Sequence, residues 1–118
     1  MIVIYGLKNC DSCRKAVALL QDSGGDYRFH DLRADGLPAG RLERWLDGVG
    51  WETLLNRRST TWRELPEAEK ADLDAERALR LLERYPTLIK RPVVEAGDSL
   101  VVGFAASQQA ALKALATP

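Results

Sequence analysis

Residues 1 to 32 hold a strand, a helix and a second strand in immediate succession, and the chain's only two cysteines, Cys10 and Cys13, stand where the first strand hands over to the helix. Met1 to Tyr5 is apolar and β-branched on both faces, the pattern of a strand buried in a sheet that is covered on both sides. Gly6 to Asn9 reads as a turn, with Cys10 or Asp11 as the helix cap. Ala16, Val17, Leu19 and Leu20 then form a helical apolar stripe that stops at Ser23-Gly24-Gly25. Tyr27-Arg28-Phe29-His30-Asp31-Leu32 alternates large apolar with polar residues and predicts the second strand. A strand, helix and strand packed so closely form a βαβ unit, whose strands are parallel and whose crossover is right-handed.

Placing Cys10-Asp11-Ser12-Cys13 at the start of a helix puts sulfur where unpaired backbone N–H groups and the positive end of the helix dipole both favour a thiolate. Cys10 sits in the cap region and is the expected nucleophile. Cys13, one turn further in, is the expected resolving partner. Other uses of two cysteines are weaker here. Zinc wants four ligands, and His30 is the only histidine left to help. A structural disulfide across two intervening residues closes too small a loop to constrain the unfolded chain much. Burial as ordinary core suits Cys13 better than Cys10, although Asp11, Ser12, Arg14 and Lys15 make the surroundings polar. A redox-active pair is the favoured reading.

The rest of the chain continues as helix and loop before returning to strand. Arg33 to Gly40 reads as a loop, with Pro38 suited to the first turn of the next helix. Leu42, Trp45, Leu46 and Val49 recur at helical spacing, with Gly48 and Gly50 ending the helix. Trp51 to Leu55 predicts a short helical turn and Asn56 to Thr61 a polar, basic loop. Helical segments are predicted over Pro66 to Leu73 and Asp74 to Tyr85, with Leu79 and Leu82 on the inner face of the second. Pro86 breaks that helix, and Leu88 to Val94 leads into a third strand. Ala96-Gly97-Asp98-Ser99 is a hairpin turn, Leu100 to Phe104 an antiparallel fourth strand, and Ala105 to Leu115 a closing helix. The fold class is α/β: a thioredoxin-like, four-stranded mixed sheet flanked by helices. Residues 1 to 118 form a single domain with a helical insert over roughly residues 35 to 86.

Composition narrows the function classes. The 118 residues carry 46% apolar and 29% charged side chains, the profile of a soluble globular chain with one core. Lys plus Arg equals Asp plus Glu at 17 each, so no surface dedicated to nucleic acid or an anionic membrane is expected. No apolar run approaches a membrane span, and the N-terminus lacks the pattern of a signal peptide. A cytoplasmic location is expected, where a Cys-x-x-Cys pair is more often catalytic or sensing than structural.

Three stretches together carry a family resemblance. They are Tyr5 to Ala16 around the cysteines, Leu54-Leu55-Asn56-Arg57-Arg58-Ser59-Thr60-Thr61-Trp62-Arg63, and Ile89-Lys90-Arg91-Pro92. In this order they resemble the arsenate reductase and Spx family. The resemblance implies a thioredoxin-like core with a helical insert, a reactive cysteine at Cys10, an arginine at Arg91 directed at the thiolate, and a cis peptide before Pro92. Glutaredoxin-linked arsenate reductases surround their oxyanion with three arginines. Here the first of those positions is Asn56, and the last falls near Val102-Gly103-Phe104. Only Arg91 is kept, so arsenate reduction is expected to be poor.

Two other branches of the family then compete. One contains small thiol reductases that use glutathione. The other is Spx, a regulator that binds the RNA polymerase α subunit and senses oxidation through a Cys-x-x-Cys switch. Cys13 followed by Arg14-Lys15-Ala16 is close to the Spx switch. Asn56-Arg57-Arg58, Thr60-Thr61-Trp62 and Tyr27 to Asp31 are closer to the reductases, and the sequence ends after its closing helix without the tail usual in Spx.

The resulting expectation is a thiol-dependent oxidoreductase with Cys10, Cys13 and Arg91 as catalytic residues and Asn9, Ser12, Arg14 and Pro92 as substrate-binding residues. Asn9 and Ser12 could instead serve as ordinary helix caps. No bound cofactor or metal is expected. Glutathione or another small thiol or disulfide is the expected co-substrate, with glutaredoxin or the RNA polymerase α subunit as the partners of the alternative readings. His30 and the tryptophans Trp45, Trp51 and Trp62 are expected to be structural. Arg57, Arg58 and Arg63 are expected in a solvated loop.

Overall fold

The computed structural model describes residues 1–116, and the chain divides into two compact units: a sheet unit of residues 1–36 and 91 onward, and a helical unit of residues 37–90. In the sheet unit, β1 (Ile2–Gly6), α1 (Asp11–Asp22) and β2 (Tyr27–Asp31) come first, and β3 (Val93–Ala96), β4 (Ser99–Val102) and a closing helix over Ala106–Ala116 follow after the insert. The strand order is β2-β1-β3-β4. β1 runs parallel to β2, with Ile4 opposite Phe29, and antiparallel to β3, with Ile4 opposite Val94. β3 and β4 form an antiparallel hairpin closed by Gly97, whose φ of 60° is one that glycine adopts at little cost. This is the mixed, thioredoxin-like sheet with flanking helices.

One apolar layer of this unit joins Ile2 and Ile4 of β1, Ala16 and Leu20 of α1, Val94 of β3, and Leu112 and Ala116 of the closing helix. Ile4, Leu20, Val94 and Leu112 have no exposed surface. Each such aliphatic side chain stabilises the fold by about 1.5–3 kcal/mol. The helix spacing of Ala16 and Leu20 therefore docks α1 on the sheet, which in turn determines where its N-terminal turn lies. α1 stops where its sequence says: Gly24 takes a φ of 77°, and Gly25 approaches Ala116 so closely that a side chain there would collide with that residue.

The helical unit contains α2 (Arg41–Val49), α3 (Trp51–Leu54), α4 (Thr60–Glu64), α5 (Glu67–Lys70) and α6 (Ala75–Arg84), then a 3₁₀ turn over Pro86–Leu88. Several boundaries differ from the sequence expectation. Pro38 precedes the helix instead of opening it, because Gly40, at a φ of 79°, is the cap. Gly48 lies inside α2, and Gly50 terminates it. The loop expected to reach Thr61 ends earlier, since Ser59 Oγ accepts the Trp62 N–H at 3.1 Å and starts α4. The helix expected over Pro66 to Leu73 shrinks to one turn. On α6 the buried stripe is Ala78, Leu81 and Leu82, while Leu79 is only half-buried. The unit's own core includes Leu42, Trp45, Leu54, Leu82, Leu88 and Ile89, all at 2% exposure or less.

Candidate functional site

Cys10 is the N-cap of α1, in extended backbone with φ −94° and ψ 123°. Its carbonyl accepts the Arg14 N–H at 3.0 Å, and its own N–H donates to the Leu7 carbonyl at 3.2 Å, so the residue is fixed by backbone bonds on both sides. The side chain is partly exposed, whereas Cys13 is buried at 1% exposure, and both are free thiols. A partly open sulfur thus stands one turn from a closed one.

Their electrostatics diverge in the same sense. Burial alone would raise the Cys10 pKa, but the backbone N–H of Cys13, the Cys13 thiol and the guanidinium of Arg91 outweigh it and bring the pKa below the ordinary 9.0. For Cys13, burial dominates. Together with the neighbouring Cys10 it overrides the Leu7 backbone and Arg91, and the Cys13 thiol is pushed up to about 12. At neutral pH the pair is one sulfur inclined to ionise and one that keeps its proton and can donate it.

Arg91 reaches this sulfur from the sheet unit's other end of the chain. It directly precedes β3, and its bond to Pro92 is cis. Arg91 is half-buried and Pro92 buried, with the Pro92 carbonyl accepting the Gly103 N–H at 2.9 Å. Gly103 has a φ of 95°, a conformation that an arginine would occupy only with strain. The backbone thus opposes an arginine at Gly103 itself, within the Val102-Gly103-Phe104 stretch.

The remaining sequence candidates fall out unevenly. Asn9 and Arg14 are exposed and Ser12 is half-buried. Arg14 lines a groove of about 250 Å³ together with Lys8, Cys13, Val17 and Phe29, on the α1 and β2 side of the sheet unit. Lys15 turns to Asp11 at 3.2 Å, an exposed pair of little energetic weight. His30 accepts a structural part: its Nε2 is 2.7 Å from the Gly36 carbonyl, and its ring lies 5.1 Å from that of Tyr5. Asn56, in the helical unit, is engaged by its own turn, with Oδ1 accepting the Arg58 N–H at 3.1 Å and its N–H donating to the Leu88 carbonyl at 2.8 Å. Arg57 is not simply solvated. Its guanidinium lies 5.7 Å from the Trp51 ring and 5.9 Å from that of Trp62.

Two residues escaped the sequence reading. Gly6, expected in a turn, is the last residue of β1, and a side chain there would collide with Sγ of Cys13. Asp31, at the end of β2, is buried and accepts the Arg33 and Ala34 N–H groups at 2.8 and 3.1 Å. The Ala34 bond leads in holding its carboxyl below the usual range, with Arg33 and Lys8 adding to it against the cost of burial. An Asp followed by a loop was the available signal for such a turn. Among the described residues, no group of three or more His, Cys, Asp and Glu could hold a metal ion, and no helix is long and apolar enough to cross a membrane.

Comparison with known proteins places this geometry. The YFFB (PA3664) protein has the same fold at a TM-score of 0.88 and 45% identity, over 95% of this chain and 98% of that one. An arsenate reductase (ArsC) related protein from Brucella melitensis matches with a TM-score of 0.75 and 47% identity, over 93% and 92% of the two chains. A relative from Haemophilus influenzae is 44% identical over 88% of this chain and 91% of its own length. At 28% identity, over 88% of this chain and 80% of the relative, stands the global transcriptional regulator Spx of Lactiplantibacillus plantarum. The ArsC family model matches residues 5–112, from the strand before Cys10 into the closing helix, and the chain belongs to the ArsC family.

Proposed function

We propose that this protein is a thiol-dependent oxidoreductase that uses Cys10 as nucleophile, Cys13 as resolving thiol and Arg91 to hold the thiolate, and that it reduces disulfides with glutathione or another small thiol as electron donor. The observation that carries this reading is the split between the two sulfurs: Cys10 is partly exposed with a lowered pKa, and Cys13 is buried with a pKa pushed up to about 12. Membership of a family that contains thiol oxidoreductases supports it.

The chemistry follows from those settings. The Cys10 thiolate attacks one sulfur of a disulfide R–S–S–R′, forming Cys10–S–S–R and expelling R′S⁻, which takes up a proton. Cys13 then loses its proton, and its sulfur attacks that of Cys10, releasing RS⁻ and leaving a Cys10–Cys13 disulfide. Two electrons have left the protein. Two small thiols restore both cysteines and leave as their own disulfide. Once Cys10 is in a mixed disulfide it no longer carries the charge that helps hold the Cys13 proton, so the resolving thiol is easier to ionise at the step that needs it. Asn9, Ser12 and Arg14, which flank the two cysteines in the chain, and Pro92, which follows Arg91, are the proposed substrate contacts.

Arsenate is a poor fit to the same site. Charge-assisted bonds are worth roughly 1.5–3 kcal/mol each, and two of the three arginines in the arsenate reductase pattern are absent, at Asn56 and near Val102-Gly103-Phe104. A regulatory role has one support of its own, the relatives named Spx. It requires redox-dependent association with the RNA polymerase α subunit, and lack of any such complex in pull-downs under oxidising and reducing conditions sinks it.

The test of the main reading is capture of the intermediate. Cys13→Ser should accumulate a mixed disulfide at Cys10, identifiable by mass spectrometry, while Cys10→Ser should lose disulfide turnover by roughly a thousandfold or more, as removal of a nucleophile does elsewhere. Full turnover in Cys10→Ser would end the proposal.

A further inference from the structure

Gly6 closes β1, and the space left by its missing side chain is occupied by sulfur. A methyl group on its Cα would overlap Sγ of Cys13, and would lie 3.2 Å from Cβ of Cys13 and 3.7 Å from Cε2 of Phe29. Conformation does not explain this glycine, because Gly6 is not among the glycines with positive φ. Its backbone has no room to retreat either: Gly6 pairs with Asp31 in the parallel ladder, and its carbonyl accepts the Leu32 N–H at 2.9 Å. On the other side, α1 is locked to the sheet through Ala16 and Leu20, both without exposed surface.

We propose that Gly6 is a positioning residue for the cysteine pair, its bare Cα being the socket that seats the Cys13 sulfur within reach of Cys10. The proposal rests on the disulfide chemistry above and adds a residue with no reactive group to it. A sulfur seated in this socket does two things for Cys10. Its S–H donates toward the Cys10 thiolate, one of the interactions that favour that charge. The same sulfur is also in place to attack the mixed disulfide, with the Cys13 proton going to solvent and RS⁻ departing. A methyl at Gly6 displaces Sγ of Cys13 and removes both.

The test reads the free protein without substrate, so that it does not depend on turnover. The thiolate absorbance of Cys10 is titrated in the wild type, Gly6→Ala, Cys13→Ala and Gly6→Ala/Cys13→Ala. In Gly6→Ala the Cys10 midpoint should rise by about one pH unit, a tenfold loss of thiolate at any pH well below both midpoints. The two Cys13→Ala proteins should titrate alike, because no Sγ remains to be displaced. An unchanged midpoint in Gly6→Ala overturns the proposal, and so does an equal rise in the Cys13→Ala background. Should Gly6→Ala fail to fold, the double variant must fold and melt close to Cys13→Ala, and its failure to do so overturns the proposal as well. A protein that shows the expected titrations but turns over no disulfide keeps the socket and loses the oxidoreductase reading.

Discussion

Arg91 in the sheet unit and Arg57 in the helical unit are the same side chain put to opposite uses. Arg91, half-buried before Pro92, acts on the sulfur of Cys10 and lowers its pKa. Arg57, exposed in its loop, spreads its charge over the faces of Trp51 and Trp62. The contrast extends to the units that carry them. The sheet unit holds both cysteines at the start of α1, which is set between a β ladder and a docked helix. The helical unit is built from short helices around Trp45, Leu54 and Leu82, with exposed ion pairs such as Arg80 to Glu76 and Arg84 to Glu69 outside. Backbone bonds on both sides of Cys10 hold its sulfur where the Cys13 N–H, the Cys13 thiol and Arg91 act on it together, whereas a cation on a surface of aromatic rings adds only a little packing and attraction.

If the two units divide chemistry from scaffold in this way, substitutions should separate along the same line. The largest effect is expected at Trp45, which is fully buried. Trp45→Ala should destabilise the protein by about 3–5 kcal/mol, read by urea unfolding, yet leave the Cys10 titration in the folded protein where it was. A moved titration would break the comparison. Next comes Arg91→Met. Removing the cation raises the Cys10 pKa toward 9.0, so the disulfide turnover proposed above, if it depends on the Cys10 thiolate, should climb at a higher pH than in the wild type. The displacement of the profile reads how much of the thiolate stabilisation Arg91 supplies. An unshifted pH–rate profile would mean that Arg91 serves the fold alone. The smallest effect belongs to Arg57→Ala, expected to cost about 0.5–1 kcal/mol of stability with no change in turnover. Loss of turnover there would place part of the working surface on the helical unit and blur the division.

Much of the sheet unit could be read from residues alone. An apolar run at Ile2 to Tyr5, a stripe through Ala16 and Leu20 and a stop at Gly24 each have a local physical cause, and the elements lie where those causes put them except that β1 runs on to Gly6. The helical unit was less readable for an equally local reason. Its helices are one to three turns long, so a single cap such as Ser59 or Gly40 that moves a boundary by a few residues changes a large share of the helix. Leu79 illustrates the limit: its spacing suits an inner face, but the true stripe at Ala78, Leu81 and Leu82 is set by which side of α6 the unit buries.

At the cysteines, sequence by itself determined that the chain has a Cys-x-x-Cys pair at a helix start after a strand, with an arginine-proline pair far along the chain, because these depend on neighbours in sequence and on a familiar order of motifs. Tertiary structure decided how different the two sulfurs are. Burial, the approach of Arg91 and the hole beside Gly6 all come from chain segments brought together by folding, and a pKa depends on distances and dielectric that no spacing of residues encodes. Gly6 is the clearest case: in the sequence it is one more glycine before a turn, and only the packing of α1 against β1 makes it the place where a sulfur sits.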